Sequence, residues 1–119
     1  MKLPYHWSID AFLKRNGTIC AFAELKCRTH PSTQYPSTMV GMKKLTEAFK
    51  LQSHLGKLDG GSAPVILFIR FTDKDMWGIV DKTACCGYEV KEVQAHNHYG
   101  HPRDRNEMVF IPLDGFKEF

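Results

Sequence analysis

The 119-residue chain contains no Cys-X-X-Cys pair, no apolar run of membrane-spanning length and no large excess of either charge. Each absence removes a class of protein. Closed zinc sites draw on cysteines paired at short spacing, which Cys20, Cys27, Cys85 and Cys86 do not supply. Cys20 and Cys27 fall on one extended segment, too far apart along it to bridge each other, so reduced, structural thiols are expected. Lack of a run of about 20 apolar residues removes any membrane helix. The opening segment, Met1-Lys2-Leu3-Pro4-Tyr5-His6-Trp7, has no apolar centre of the signal-peptide kind, and the expectation is a cytoplasmic protein with no membrane partner. A net charge of +3 permits a nucleic-acid partner without demanding one. Internal repeats and low-complexity segments are absent.

The chain has 43% hydrophobic and 24% charged residues, which suits one globular domain over residues 1–119. Its core is expected over about residues 5–80, a long polar loop over 81–106, and a last strand and tail over 107–119. Residues 6–13 alternate as a strand rich in Trp, Ile and Phe. Lys14-Arg15-Asn16-Gly17 is a hairpin signal, and residues 18–27 form the return strand. A polar, turn-rich loop follows over 28–37. Ser37 or Thr38 can cap a helix running to about Leu55 and stopped by Gly56, with Met42, Leu45, Phe49 and Gln52 on one stripe. The continuous apolar run 64–71 reads as a strand buried on both faces. Short strands are expected over 76–80, near 88–93 and over 107–113, with Pro112 arguing for a sheet edge. Phe116 and Phe119 are expected to tuck the tail against the core.

Within this frame the most informative stretch is Glu24-Leu25-Lys26, which ends the return strand. Side chains alternate along a strand, so Glu24 and Lys26 share one face while Leu25 is expected to point into the core. Asp10 lies on the strand before it. Two carboxylates and the Leu25 carbonyl offer hard oxygen ligands suited to Mg²⁺, or to Mn²⁺ in its place. Lys26 beside them can orient a water or steady phosphate charge.

Whether Asp10 and Glu24 meet depends on register. A two-residue Asn16-Gly17 loop pairs Arg15 with Thr18, so that Ile9 faces Glu24 and Asp10 lies on the wrong face. A three-residue loop with Gly17 left-handed places Asp10 opposite Phe22 and diagonal to Glu24 on one face. A bulge would also restore the parity.

Asp10…Glu24-Leu25-Lys26, with Trp7-Ser8-Ile9, Cys27-Arg28, Tyr35-Pro36 and Lys44 around it, resembles the PD-(D/E)XK nuclease superfamily over residues 5–80. It is similar to short phage-encoded members related to VRR-NUC and Holliday-junction-resolvase-like nucleases. The resemblance implies an α/β (α+β) fold with a restriction-endonuclease-like core: a central mixed β-sheet in β-β-α-β-β order with a flanking helix. It implies Asp10 and Glu24 as metal ligands, Lys26 as the catalytic lysine and Lys44 as a polar addition from the helix. Implied too are a Mg²⁺- or Mn²⁺-dependent endonuclease acting on structured or branched DNA in phage replication or recombination, a two-fold homodimer, and a host cell's cytoplasm as its place. The superfamily's first helix has little room here, since nine residues precede Asp10. It is missing, supplied by a partner or replaced by C-terminal chain.

Arg28, His30, Lys43 and Lys44 would ring such a site as a footprint for phosphates, and Tyr35 either contacts the substrate backbone or anchors the loop. For Lys43 a solvated face is the better reading. His96-Asn97-His98-Tyr99-Gly100-His101 reads as a polar loop able to touch DNA together with Arg103 and Arg105. Two other classes compete: a non-catalytic DNA-binding or regulatory protein on the same fold, and a His/Cys metal-binding protein centred on residues 85–101.

Overall fold

The computed structural model describes residues 9–56, 63–80, 88–94 and 105–119. Strands β1 (Ala11–Arg15) and β2 (Thr18–Cys27) form the hairpin. Its loop has two residues, with positive φ at both Asn16 (52°) and Gly17 (79°), the type I′ turn that Asn-Gly favours. Register is then repaired by a bulge: Lys14 pairs with Ile19 but Leu13 pairs with Ala21, leaving Cys20 as the extra residue. Of the two devices that could bring Asp10 to the face of Glu24, the chain uses the bulge.

The helix begins later than its sequence suggests. Residues Ser37–Gly41 form a strand, β3, and the helix α1 runs Met42–Gly56. Thr38 therefore caps no helix; it is buried in β3 opposite Ile111. The cause is a period-two pattern, Thr38 and Val40 inward and Met39 outward, that finds a partner strand near the C-terminus. On α1 the expected stripe holds: Leu45, Ala48 and Phe49 are buried, Met42 packs against them, and Gln52 Nε2 donates to the Ala63 carbonyl at 2.7 Å.

Strands β4 (Val65–Arg70) and β5 (Asp75–Val80) follow, then β6 (Glu89–Gln94), β7 (Arg105–Pro112) and a two-residue β8 (Lys117–Glu118). The strands build two sheets where one was expected. A five-stranded mixed sheet has the order β1-β2-β4-β5-β8, in which β2 and β4 are parallel, and an antiparallel sheet has the order β3-β7-β6. The link from β2 to β4 carries β3 and α1, the length that a parallel connection demands. One apolar cluster joins the two sheets and the helix, through Phe22, Leu67 and Ile69 on one side and Val40, Val109 and Ile111 on the other. The result is an α+β fold with a mixed central sheet and a flanking helix.

Two further expectations are corrected. Strand β4 is buried on one face only: Val65, Leu67 and Ile69 are sealed in, while Ile66 and Phe68 are partly open and Arg70 is exposed. The helix covers just one side of the large sheet. On the other, Phe119 stacks on Phe68 with centroids 5.7 Å apart, so the tail covers part of the open face. Pro112 ends β7 opposite Ser37, and β7 is the middle strand of its sheet; the proline marks a strand end instead of an edge. At Gly78 a Cβ would stand 2.6 Å from the Phe116 ring, a close approach that only glycine allows. Cys20 and Cys27 are free and exposed, so they are not structural thiols. Among the described residues, no helix is long and apolar enough to cross a membrane.

Candidate active site

Glu24, Lys26 and Arg28 share one face of β2, and that face looks toward the helix. Leu25 is corrected accordingly: it lies on the open side of the sheet, 56% exposed, and not in the core. Glu24 is the one carboxylate among the described residues that is buried, at 6% exposure. A buried carboxylate is costly unless paired. Its Oε1 accepts from Lys44 Nζ at 2.6 Å and stands 3.3 Å from Lys26 Nζ. Lys44 reaches it from the third position of α1, where it borders the buried stripe; Lys43, one residue earlier, stays exposed and does not join.

Asp10 arrives from the other side. The pairing of Ala11 with Ala23, carried one residue further, sets Asp10 level with Glu24, and its Oδ2 accepts the Leu25 N–H at 2.8 Å. The N–H and C=O of a strand residue leave on the same edge, so the Leu25 carbonyl is also directed toward the Asp10 side. The N–H groups of Phe22 and Arg28 instead donate to Pro64 and Arg70 on the β4 side, which fixes this alternation along β2.

The electrostatics follow from this packing. Burial lowers the Lys26 pKa, the Lys44 charge adds to that, and Glu24 opposes it without reversing it. For Lys44 burial also lowers the pKa, but the hydrogen bond and charge of Glu24, with help from Asp10, outweigh it and leave the value raised. Asp10 thus acts on the same cluster as Glu24. Lys44 is held as the firm cation, and Lys26 holds its proton less tightly than an ordinary lysine.

The donor set suits a hard divalent cation. Asp10 and Glu24 are level across the hairpin with the Leu25 carbonyl directed to the Asp10 side, and the buried carboxylate has cationic charge at hydrogen-bond distance in the Lys44 ammonium. Among the described residues no three His, Cys, Asp or Glu side chains gather as a metal cluster. Two carboxylates with main-chain and solvent oxygen is the pattern that Mg²⁺ accepts, since it keeps several waters.

Arg28, His30 and Tyr35 come together beside this cluster. They line a groove of about 570 Å³ with Thr38, Met39 and Phe110. Arg28 Nη2 donates to the Met39 carbonyl at 2.6 Å and to Thr38 Oγ1 at 3.3 Å, tying the end of β2 to β3. The His30 ring meets Tyr35 edge-on at 5.0 Å and leans on Phe71 at 5.7 Å. Thr38, Met39 and Phe110 are lining residues that sequence reasoning missed. Their signal was the alternation in Ser37–Gly41, which reads as a strand only once its distant partner is known. His96, His98, His101 and Arg103, like Cys85 and Cys86, lie outside the described residues, as does the side chain of Arg105.

No curated protein and no solved structure matches this chain. A family does, over residues 1–119, under the description Phage putative PDDEXK endonuclease. Taken with a mixed sheet whose second strand ends in Glu24-Leu25-Lys26, that match settles the family: the chain belongs to the phage PDDEXK endonucleases of the PD-(D/E)XK superfamily.

Proposed function

We infer that the protein is a metal-dependent endonuclease hydrolysing DNA phosphodiester bonds, with Asp10, Glu24 and Lys26 as its working residues. The observation that carries this is the buried Glu24 carboxylate, level with Asp10 across the hairpin and held between two lysines. Asp10, Glu24 and the Leu25 carbonyl would hold Mg²⁺ or Mn²⁺. Such a cation supplies Lewis acidity for phosphodiester hydrolysis. Lys26 orients the attacking water or stabilises charge on the phosphate, and its softened basicity suits a group working beside a reacting centre. Lys44 shields Glu24 before substrate arrives and offers a positive charge to the incoming backbone.

Structured or branched DNA remains the preferred substrate in this reading, in phage replication or recombination. A two-fold homodimer belongs to it as well. Leu25, Ile79 and Phe119 are exposed apolar side chains on the open side of the large sheet, the surface a second copy would cover. Light scattering with and without DNA should give twice the chain mass; a monomer at high concentration in both conditions would remove the dimer from the account.

A second reading has one observation in its favour. The Glu24–Lys26–Lys44 network is already satisfied without a metal, as a structural ion cluster would be. Incubation with Mg²⁺ or Mn²⁺ and a panel of linear, flapped and four-way DNA separates the two. The nuclease reading expects metal-dependent cuts, strongest on the branched members. Binding without cleavage on every member would instead mark a DNA-binding protein on a nuclease fold.

A further inference from the structure

The groove beside the cluster is built differently from a phosphate track. Past the end of β2 the Glu24 face continues through Lys26 to Arg28, four residues or about 13 Å from Glu24. That is roughly the reach of two nucleotides of extended backbone. At Arg28 the groove opens, and most of its wall is apolar or aromatic: Tyr35, Met39 and Phe110, with the His30 ring. The groove's polar share is Arg28, His30 and the hydroxyls of Thr29, Ser37 and Thr38, and Lys91 Nζ stands 5.4 Å from the Phe110 ring centroid. Its volume, about 570 Å³, falls within the range of sites that enclose small planar ligands.

The walls are preformed. Ser32 donates to Asp73 from its N–H at 2.8 Å and its hydroxyl at 2.7 Å, which anchors the loop after β2 to the β4–β5 turn. The His30 carbonyl accepts the Thr72 N–H at 3.2 Å, and the Pro36 carbonyl accepts the Leu113 N–H at 2.9 Å. Tyr35 nevertheless stays 52% exposed, an aromatic ring held in the open at the groove's mouth. His30 Nδ1 lies 3.1 Å from the Pro31 carbonyl, which can only accept, so Nδ1 donates there and Nε2 is left for a ligand. Arg28 uses one terminal nitrogen for its two anchoring bonds and keeps further N–H donors. The groove thus combines stacking surface, a ring nitrogen and charged donors, the chemistry that recognises a heteroaromatic ring by its face and its edge.

We propose that this groove binds an unpaired nucleobase about two nucleotides away from the phosphate that is cut. The proposal rests on the nuclease reading of Glu24 and Lys26 and narrows its substrate class. Bases in a perfect duplex are stacked and paired and cannot enter, so the substrate carries an unpaired nucleotide near the cut site, as a flap or gap does.

The test is a binding measurement in EDTA, where no cleavage interferes. The probes are a perfect duplex and the same duplex with one unpaired 2-aminopurine at a single-strand junction. The expected result is tighter binding of the junction probe by about tenfold, with 2-aminopurine emission quenched by stacking. Tyr35→Ala and Phe110→Ala should each cut junction affinity by roughly 5-fold or more and leave duplex affinity unchanged. Circular dichroism confirms folding, and the exposed Tyr35 gives a variant that does not disturb the core. Equal affinity for the two probes, or equal weakening of both by Tyr35→Ala, would overturn the proposal. The two readings fail separately. A junction preference that persists in a protein unable to cleave sinks the nuclease and spares the groove, whereas cleavage of perfect duplex unaffected by Tyr35→Ala does the reverse.

Discussion

Replacing Glu24 by Gln should eliminate metal-dependent cleavage while leaving the fold in place. The amide keeps the shape of the side chain but loses the charge that a divalent cation requires. Changes one shell further from a metal typically cost about 10–100-fold, and loss of a direct ligand should exceed that. Calorimetric titration with Mn²⁺ should show the same loss. Glu24→Ala adds a stability effect, because Lys26 and Lys44 then face each other with no anion between them. The two lysine side chains keep 23% and 44% of their exposure, so solvent screens the repulsion. A cost of about 1–2 kcal/mol, or a few degrees in Tm, is expected. DNA binding without metal should persist or tighten, since a negative charge has left a surface that meets phosphates.

The two lysines should separate by role, although both touch the same carboxylate oxygen. Lys26→Ala should slow the chemical step by about 10²–10³-fold, the usual cost of removing one transition-state donor, while metal still binds. Lys44→Met should act on binding. It removes the ammonium 2.6 Å from Glu24 Oε1, so Mn²⁺ should bind more tightly and the metal-free protein should melt earlier. Single-turnover kinetics at saturating DNA, with metal titrations of both variants, check this. Matching effects of the two substitutions on the chemical step and on metal affinity would mean that the lysines form one structural pair without division of labour.

Legibility in the sequence followed the locality of the cause. The Asn16-Gly17 turn and the alternation of β2 are local, and they show in a few residues. The bulge at Cys20 is not: it exists because Phe12 and Phe22 must both face the core, and that constraint acts across the hairpin. Strand β3 hid for a similar reason. Five residues with Ser-Thr at their start read as a helix cap until β7, far along the chain, supplies a ladder. Leu25 and Glu24 exchanged surroundings because alternation tells which residues share a face, and only packing tells which face the helix takes. Glu24 and Lys26 were legible as one face because alternation along β2 is local. Asp10 joins them only through the bulge, and Lys44 comes from a helix that starts later than its sequence suggests. The burial of Glu24 was not legible, because its cover comes from Lys44 on a helix distant in sequence.

The most direct measurement compares wild-type protein and Glu24→Gln on one flapped DNA substrate, with Mg²⁺ and with EDTA. The account predicts cleavage by the wild type with Mg²⁺ only, and no more than about 1% of that rate for Glu24→Gln. Cleavage by Glu24→Gln at the wild-type rate would contradict it.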